Sequence, residues 1–362
     1  MMGMFAGRLG LQQRVLPSYR APFFEMLAAA CEGGLGVFAG MPRPGEGIAS
    51  ASLHSAQHFM AHNVHLLGGP LYLCYQRGFT EWLQSWNPDA LIVEANPRYL
   101  STPAAARWMH GCGRKVIGWG LGAPATGAWS AIRRSGWRRF LQQFDGLIAY
   151  SRRGAEEYAA LGFPRERIFI APNAAAARPV DRPVHEPLGE GPQTVLFVGR
   201  LQARKRVDRL LRACAAMPEP RPRLLIVGDG PERGKLEALA RQAYPEAEFA
   251  GARHGEELEP YFAAADLFVL PGTGGLAIQQ AMAHALPVIV AKGDGTQDDL
   301  VREANGWQVP PEDELALIHV MRSALSDAGR LRKMGDESFQ IVRDEINLEK
   351  MVEVFVRAIN SV

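Results

Sequence analysis

Three features of this sequence predict an α/β protein built as two doubly wound parallel sheets. Short apolar runs alternate with helical stretches along nearly the whole chain, the pattern of βαβ units. The alternation breaks at residues 174–193 (AAAARPVDRPVHEPLGEGPQ), where Pro and charge replace periodicity, and then starts again. A chain of 362 residues is also too long for one typical hydrophobic core, so two domains are expected.

In the first half, Leu9 to Leu16 reads as the opening strand, broken by Pro17-Ser18-Tyr19-Arg20. Pro22 suits the first turn of a helix running to about Cys31, and Gly34 to Ala39 is a second strand. Residues 40–63, with scattered Pro, Gly, Ser and His, read as an irregular excursion. A helix over 79–86 sets Trp82, Leu83 and Trp86 on one face. Strand Ala90 to Val93 follows and ends at Glu94-Ala95-Asn96-Pro97-Arg98. Next come a helix over about 101–111, strand Lys115 to Gly118 and a loop from Trp119 to Pro124. A helix over 129–143, strand Gly146 to Ala149, a helix over 152–161 and strand Ile168 to Ala171 complete the half. The first domain is set at 1–173 and the linker at 174–193.

The second half opens with strand Thr194 to Val198, the loop GRLQAR and a helix from Lys205, whose Val207, Leu210, Leu211 and Cys214 form a 3.6-residue stripe. Strand Leu224 to Val227 runs into Gly228-Asp229-Gly230-Pro231, followed by a helix over 232–243. Strand Ala247 to Ala250, the loop Gly251-Ala252-Arg253-His254 and a helix over 255–264 come next. Leu267 to Leu270 is a buried strand stopped by Pro271-Gly272; Leu276 to Leu286 favours a helix; Val288 to Val290 is another strand. The second domain is set at 194–340. In the remainder, 341–362, a helix over about 347–360 carries Met351, Val352, Val354, Phe355, Val356 and Ile359, which suit packing back on the first domain.

The composition is ordinarily globular: 47% hydrophobic, 22% charged, formal net charge +2. That balance gives no global attraction to nucleic acid. Cys31, Cys74, Cys112 and Cys214 lie far apart without a CxxC pair, which suits reduced thiols in a cytosolic protein better than a disulfide or zinc framework. No signal-peptide pattern and no run of about eighteen apolar residues is present, so a cytoplasmic chain without a membrane span is expected. His54, His58, His62 and His65 cluster, but in the irregular stretch and without the partners that orient metal ligands, so solvated loop is the expectation and no metal site is assigned.

The chemistry is expected where strands end. Gly272, Thr273, Gly274 and Gly275 form a turn with little side-chain bulk before the helix at Leu276, whose N-terminus offers free N–H groups and a positive dipole end to a phosphate. An isolated turn of this kind also serves as a plain βα connection. Three more strand-end loops converge with it: Gly199-Arg200 through Lys205, Gly228-Asp229-Gly230 and the loop of Arg253. A planar Arg fork, a Lys point charge and a helix N-terminus together suit a diphosphate.

In order and spacing, FVGRLQARKRVDRLL, LLIVGDGPERGKL, FAGARHGEELEPYFAAADLFVLPG and AMAHALPVIVA resemble the C-terminal domain of GT-B, family-4-type glycosyltransferases, over about 194–310. Fainter likeness runs through RVLPSYRAPFFE, NPDALIVEANPRYLST, VIGWGLGAP and FDGLIAYSRRGAEEYAALGFPRERIFIAPN. The resemblance implies two Rossmann-like domains facing a cleft, with a nucleotide-diphosphate sugar bound in the second and a saccharide or lipid-linked acceptor in the first. It implies a hexosyltransferase that retains anomeric configuration and needs neither metal nor cofactor, acting in envelope or exported polysaccharide synthesis. Arg200 and Lys205 would neutralise the departing diphosphate. Gly199, Gly228, Asp229, Gly230, Arg253, Gly272, Thr273, Gly274, Gly275, Leu276 and Gln280 would hold the donor.

The sequence also departs from that family. Positions that usually carry two glutamates are Gly272 and Gln280. Gln280 keeps a neutral bond to a ribose, about 0.5–1.5 kcal/mol in place of about 1.5–3; Gly272 removes a sugar contact. The first-domain loop that often supplies a histidine reads Trp119-Gly120-Leu121-Gly122. Acceptor-binding candidates are therefore placed by strand ends alone: Tyr19, Arg20, Asn96, Arg98, Trp119 and Leu121, with Glu94 as the catalytic candidate. Glu94-Ala95-Asn96-Pro97 is equally compatible with an ordinary turn. Two other readings stay open: a non-catalytic nucleotide-sugar binder, and a sugar-nucleotide epimerase on the same fold.

One segment points to a surface. WSAIRRSGWRRF interleaves Trp129 and Trp137 with Arg133, Arg134, Arg138 and Arg139. It suits peripheral contact with an anionic membrane, and equally an amphipathic surface helix with arginine stems lying along it.

Overall fold

The computed structural model describes residues 3–46, 48–123, 130–183 and 191–362. The chain forms two compact units, Met1–Ala175 with Leu348–Val362, and Ala176–Asn347.

The first unit is built from β1 (Leu9–Val15), α1 (Ala21–Ala29), β2 (Leu35–Gly40), β3 (Gln57–Leu66), β4 (Leu73–Arg77), α2 (Phe79–Trp86), β5 (Ala90–Glu94), α3 (Thr102–Gly111), β6 (Lys115–Gly120), α4 (Ser130–Leu141), β7 (Gly146–Ala149), α5 (Arg152–Ala160) and β8 (Ile168–Ile170). Its sheet has the order β4-β3-β2-β1-β5-β6-β7-β8, parallel throughout except for the β3–β4 hairpin. Alternate strand residues serve opposite faces: Leu91 and Val93 join Trp82, Leu83 and Met109, whereas Ile92 joins Leu27 and Phe355. Burial on both faces is why β2, β5 and β7 are nearly all apolar.

The second unit holds β9 (Thr194–Val198), α6 (Val207–Ala215), β10 (Arg223–Val227), α7 (Arg233–Ala243), β11 (Glu248–Gly251), α8 (Glu259–Ala263), β12 (Leu267–Leu270), α9 (Leu276–Ala283), β13 (Val288–Ala291), α10 (Thr296–Leu300), β14 (Gly306–Val309), α11 (Glu314–Leu325) and α12 (Ala328–Asp344). The sheet is all parallel, in the order β11-β10-β9-β12-β13-β14. The last helix, α13 (Leu348–Ser361), packs in the first unit, with Met351, Val352, Phe355 and Val356 in its core.

Four expectations are corrected. Residues 57–66 form β3 rather than an irregular stretch, because their outer half is stabilised by ladder bonds to β4 and needs no apolar pattern. His58 and His62 therefore lie on a strand, roughly 13 Å apart by four residues of rise, and His65 points to the opposite face. β6 runs through Trp119 and Gly120, so Trp119 is not in a loop. The second domain's first helix begins at Val207, and Lys205 ends a 3-10 turn, because Arg206 takes φ 55. Finally, a boundary at 340/341 would cut α12, whereas the second unit runs to Asn347.

No helix among the described residues is long and apolar enough to cross a membrane. Cys31, Cys74 and Cys214 are free and buried, and Cys112 is free and exposed.

Candidate active site

In the second unit the chain reverses its strand order between β9 and β12, the place where open α/β sheets bind ligands. The four loops expected there are laced together in strand order by backbone hydrogen bonds. Gly228 N donates to Gly251 O (2.8 Å), Leu201 N to Asp229 O (2.9 Å) and Thr273 N to Arg204 O (3.0 Å). Close approach explains the glycines. A Cβ on Gly228 would stand 1.9 Å from Gly199 O, and one on Gly230 2.4 Å from Leu201 O. Asp229 fixes its own loop, accepting from Gly230 N (2.6 Å) and pairing with Arg233 (3.3 Å).

Gly272 is settled by the same kind of contact. A Cβ there would fall 2.2 Å from Arg204 O and 2.6 Å from Lys205 Cα. The space that a glutamate would occupy is filled by the backbone of the 203–205 turn. Gly274 takes φ 148, and a Cβ on it would be 2.1 Å from Lys205 Nζ. The amine of Lys205 therefore lies against the glycine turn at the N-terminus of α9. Among the described residues Nζ has no hydrogen bond or ion pair. Desolvation, with Arg204 adding like charge, pushes its pKa down to about 8.

The other donor candidates lie on the same carboxyl edge. Arg200 follows β9 and is half-buried. Thr273 Oγ1 accepts from Arg204 Nη1 (3.2 Å). Gly275 caps α9 without a side-chain bond, Leu276 is its first residue, and Gln280 lies one turn further on. Arg253 is exposed, with Nε 3.4 Å from the Tyr261 hydroxyl.

Two buried glutamines escaped the sequence reading. Gln297 Nε2 donates to Gly274 O (3.0 Å) and so holds the glycine turn. Gln279, fully buried, accepts from Ala176 N (3.2 Å) and donates to Ile346 O (2.6 Å). Neither stands out in sequence, since a glutamine in a helix ordinarily faces water.

In the first unit the strand order reverses between β1 and β5, which places Arg20 and Glu94 at that switch point. Glu94 accepts from Arg14 N at 2.6 Å, and its own amide donates to Gln12 Oε1 at 3.1 Å. Burial pushes the Glu94 carboxyl above its ordinary range, against the pull of the Arg14 amide and the Arg20 charge. Arg20, only 8% exposed, lays its guanidinium 4.4 Å from the Trp119 ring centroid and donates from Nη2 to the Tyr150 hydroxyl at 3.2 Å. Its Nη1 is buried and has no acceptor among the described residues.

The remaining first-unit candidates separate. Tyr19 is exposed with its ring 5.7 Å from the Arg20 guanidinium, and Leu121 is exposed. Asn96 Oδ1 accepts from Arg98 N (3.1 Å), the ordinary turn role. Arg98 reaches away to Pro70 O (3.5 Å). Trp119 is corrected from an acceptor-facing loop residue to a core residue, edge-on to Phe355 at 4.9 Å and 1% exposed. Gln12, Gln13 and Tyr150 were missed. The signal was two glutamines, followed by Arg14, inside a buried strand, where buried polar groups must be paired.

Of the expected membrane face on α4, part lies within the described residues. Phe140 is buried and Trp137 packs edge-on against it. Arg134 and Arg138 donate to the carbonyls of Ala160 and Leu161, and Arg139 is exposed. Trp129 and the side chain of Arg133 lie outside the described residues.

Family models match both halves: a glycosyl transferase 4-like domain over residues 14–174 and glycosyl transferases group 1 over residues 192–327. A GDP-mannose-dependent alpha-mannosyltransferase of Mycobacterium tuberculosis is 32% identical over 269 residues, covering 69% of this chain and 66% of that protein. The chain spans about half or less of the length of other curated relatives that it matches. Among solved structures, the sucrose-phosphate synthase of Thermosynechococcus elongatus superposes with a TM-score of 0.70 at 20% identity, over 95% of this chain and 96% of that one. The Anabaena HepE protein in complex with UDP gives 0.71 at 15% identity, over 98% and 100%. With the two doubly wound sheets and their switch-point loops, these matches identify the chain as a member of the glycosyl transferases group 1, the family-4-type glycosyltransferases of the GT-B fold.

Proposed function

We propose that the chain transfers a sugar from a nucleotide-diphosphate donor held by its second unit to a saccharide or lipid-linked acceptor held by its first. The placement of Lys205 carries this reading: a partly desolvated amine, unpaired among the described residues, against the glycine turn at the N-terminus of α9. An anion that enters there gains the ammonium and the positive dipole end of α9 together. Lys205 and Arg200 neutralise the diphosphate as the glycosidic bond breaks, which lowers the barrier to departure without a metal. Retention of anomeric configuration is part of the same proposal. The donors in the printed names of similar proteins, GDP-mannose and UDP, make guanosine and uridine diphosphate sugars the first to test.

The test is incubation with UDP-, GDP- and dTDP-sugars and a membrane lipid extract, with and without EDTA. Sugar appearing on an acceptor, unchanged by EDTA, supports the proposal. Nucleotide-dependent thermal stabilisation without turnover would identify a non-catalytic binder, a role consistent with the lack of space for a carboxylate at Gly272. Isomerised nucleotide sugar alone would identify an epimerase.

A further inference from the structure

The β3–β4 hairpin extends beyond the rest of its sheet. β3 pairs with β2 only as far as Ala61, opposite Gly40, and from His62 to Leu66 its ladder partner is β4 alone. At about 3.3 Å per residue the turn stands roughly 16 Å past the end of β2, on the carboxyl edge of the sheet. The turn reads Leu66-Leu67-Gly68-Gly69-Pro70-Leu71; all six residues are exposed and none has a polar side chain. Leu67 and Leu71 are 69% and 70% exposed, and Leu67 takes φ 58, a conformation that water-facing turns usually give to Gly, Asn or Asp.

What surrounds the turn is cationic and aromatic. Arg98 donates to Pro70 O (3.5 Å), Arg43 lies 4.7 Å from the Tyr72 ring centroid, and Tyr75 is exposed on β4. No Asp or Glu occurs between Glu46 and Glu81, and Glu46 itself is paired with Arg14 (2.9 Å) and Arg43 (3.0 Å). A protruding tip of three leucines is too small for a stable protein interface, which needs about 800 Å² on each partner. An apolar tip, tyrosines behind it and an arginine collar match the depth profile of an anionic bilayer surface.

We propose that this turn is a lipid-surface anchor: Leu66, Leu67 and Leu71 enter the acyl boundary of an anionic bilayer while Arg43 and Arg98 meet its phosphates. The experiment is co-sedimentation of the full chain with vesicles of phosphatidylcholine containing about a quarter phosphatidylglycerol, against phosphatidylcholine alone. The wild type should pellet with the anionic vesicles. The double variant Leu67→Ser/Leu71→Ser should bind at least ~tenfold more weakly at an unchanged melting temperature. In Leu67→Trp, the added indole should shift its emission to the blue on mixing. Equal pelleting of wild type and double variant would overturn the proposal, as would an unshifted Leu67→Trp spectrum. So would a lipid-free dimer that the double variant abolishes, since the tip would then dock on a second copy. No readout requires turnover, so failure here leaves the proposed transfer untouched.

Discussion

Lys205 and Gly274 share one space: the Nζ of the first lies 2.1 Å from where a Cβ on the second would stand. The amine therefore holds its place against the turn because residue 274 has no side chain. Gly274→Ala should push the amine out and strain a backbone at φ 148. We expect transfer to fall at least ~tenfold, with a cost of about 1–3 kcal/mol, read by turnover and by urea midpoint. Unchanged turnover would show that the contact has no part in the reaction.

Lys205→Met should separate stability from activity. Desolvation holds the native amine at about 8, below its ordinary value of 10.5. Between those values the unfolded chain binds more protons, so native stability rises with pH across that window, and below about 8 the full penalty of the buried charge is present. The variant should thus melt higher than wild type at pH 7, and the difference should disappear towards pH 10.5. Transfer should fall about 10²–10³-fold. In the wild type, nucleoside-diphosphate affinity should weaken as the pH rises above about 8, measured by titration calorimetry.

A glutamate placed at position 272 should not gain the sugar contact that the resemblance implies for one there. Its Cβ would meet backbone at 2.2 Å, and backbone yields less readily than a flexible side chain. Gly272→Ala should cost about 1–3 kcal/mol and Gly272→Glu at least as much, both visible in denaturant midpoints. A Gly272→Glu protein as stable as wild type and more active would refute this account.

Glu94→Gln should stabilise the first unit at neutral pH. Burial raises the native carboxyl pKa above its ordinary 4.5. Its contribution therefore favours the folded state fully below about 4.5 and is lost as pH rises through the raised value. Glutamine keeps an acceptor for Arg14 N and removes the charge. We expect a melting temperature higher by about 2–4 °C per kcal/mol at pH 7, a smaller difference at pH 4, and reduced transfer. A lower melting temperature at pH 7 would mean that attraction to Arg14 and Arg20 outweighs desolvation.

Gln279→Ala should cost about 2–4 kcal/mol, since it removes the hydrogen bonds to Ala176 N and Ile346 O. A melting temperature within error of wild type would show that water replaces the amide.

Most of this fold is legible in the chain because strand, turn and helix are set by neighbours in sequence. β9, β12 and α9 declare themselves through apolar runs, Pro271-Gly272 and an Ala-rich stretch. β3 does not, because partners on β4 supply its backbone bonds, and its outward positions carry His and Asn as a loop would. For the candidate site, sequence order alone places Arg200, Lys205 and the glycine turn on one sheet edge, since loops after parallel strands share that edge. Only the tertiary structure decides what each residue meets there. Gly272 is filled by Arg204 and Lys205, Trp119 belongs to the core with Phe355, and Arg20 is held by Trp119 and Tyr150. The reason is physical: periodicity is a property of neighbouring residues, whereas close approach, desolvation and pairing are set by groups dozens of positions away, brought near only when the sheet forms.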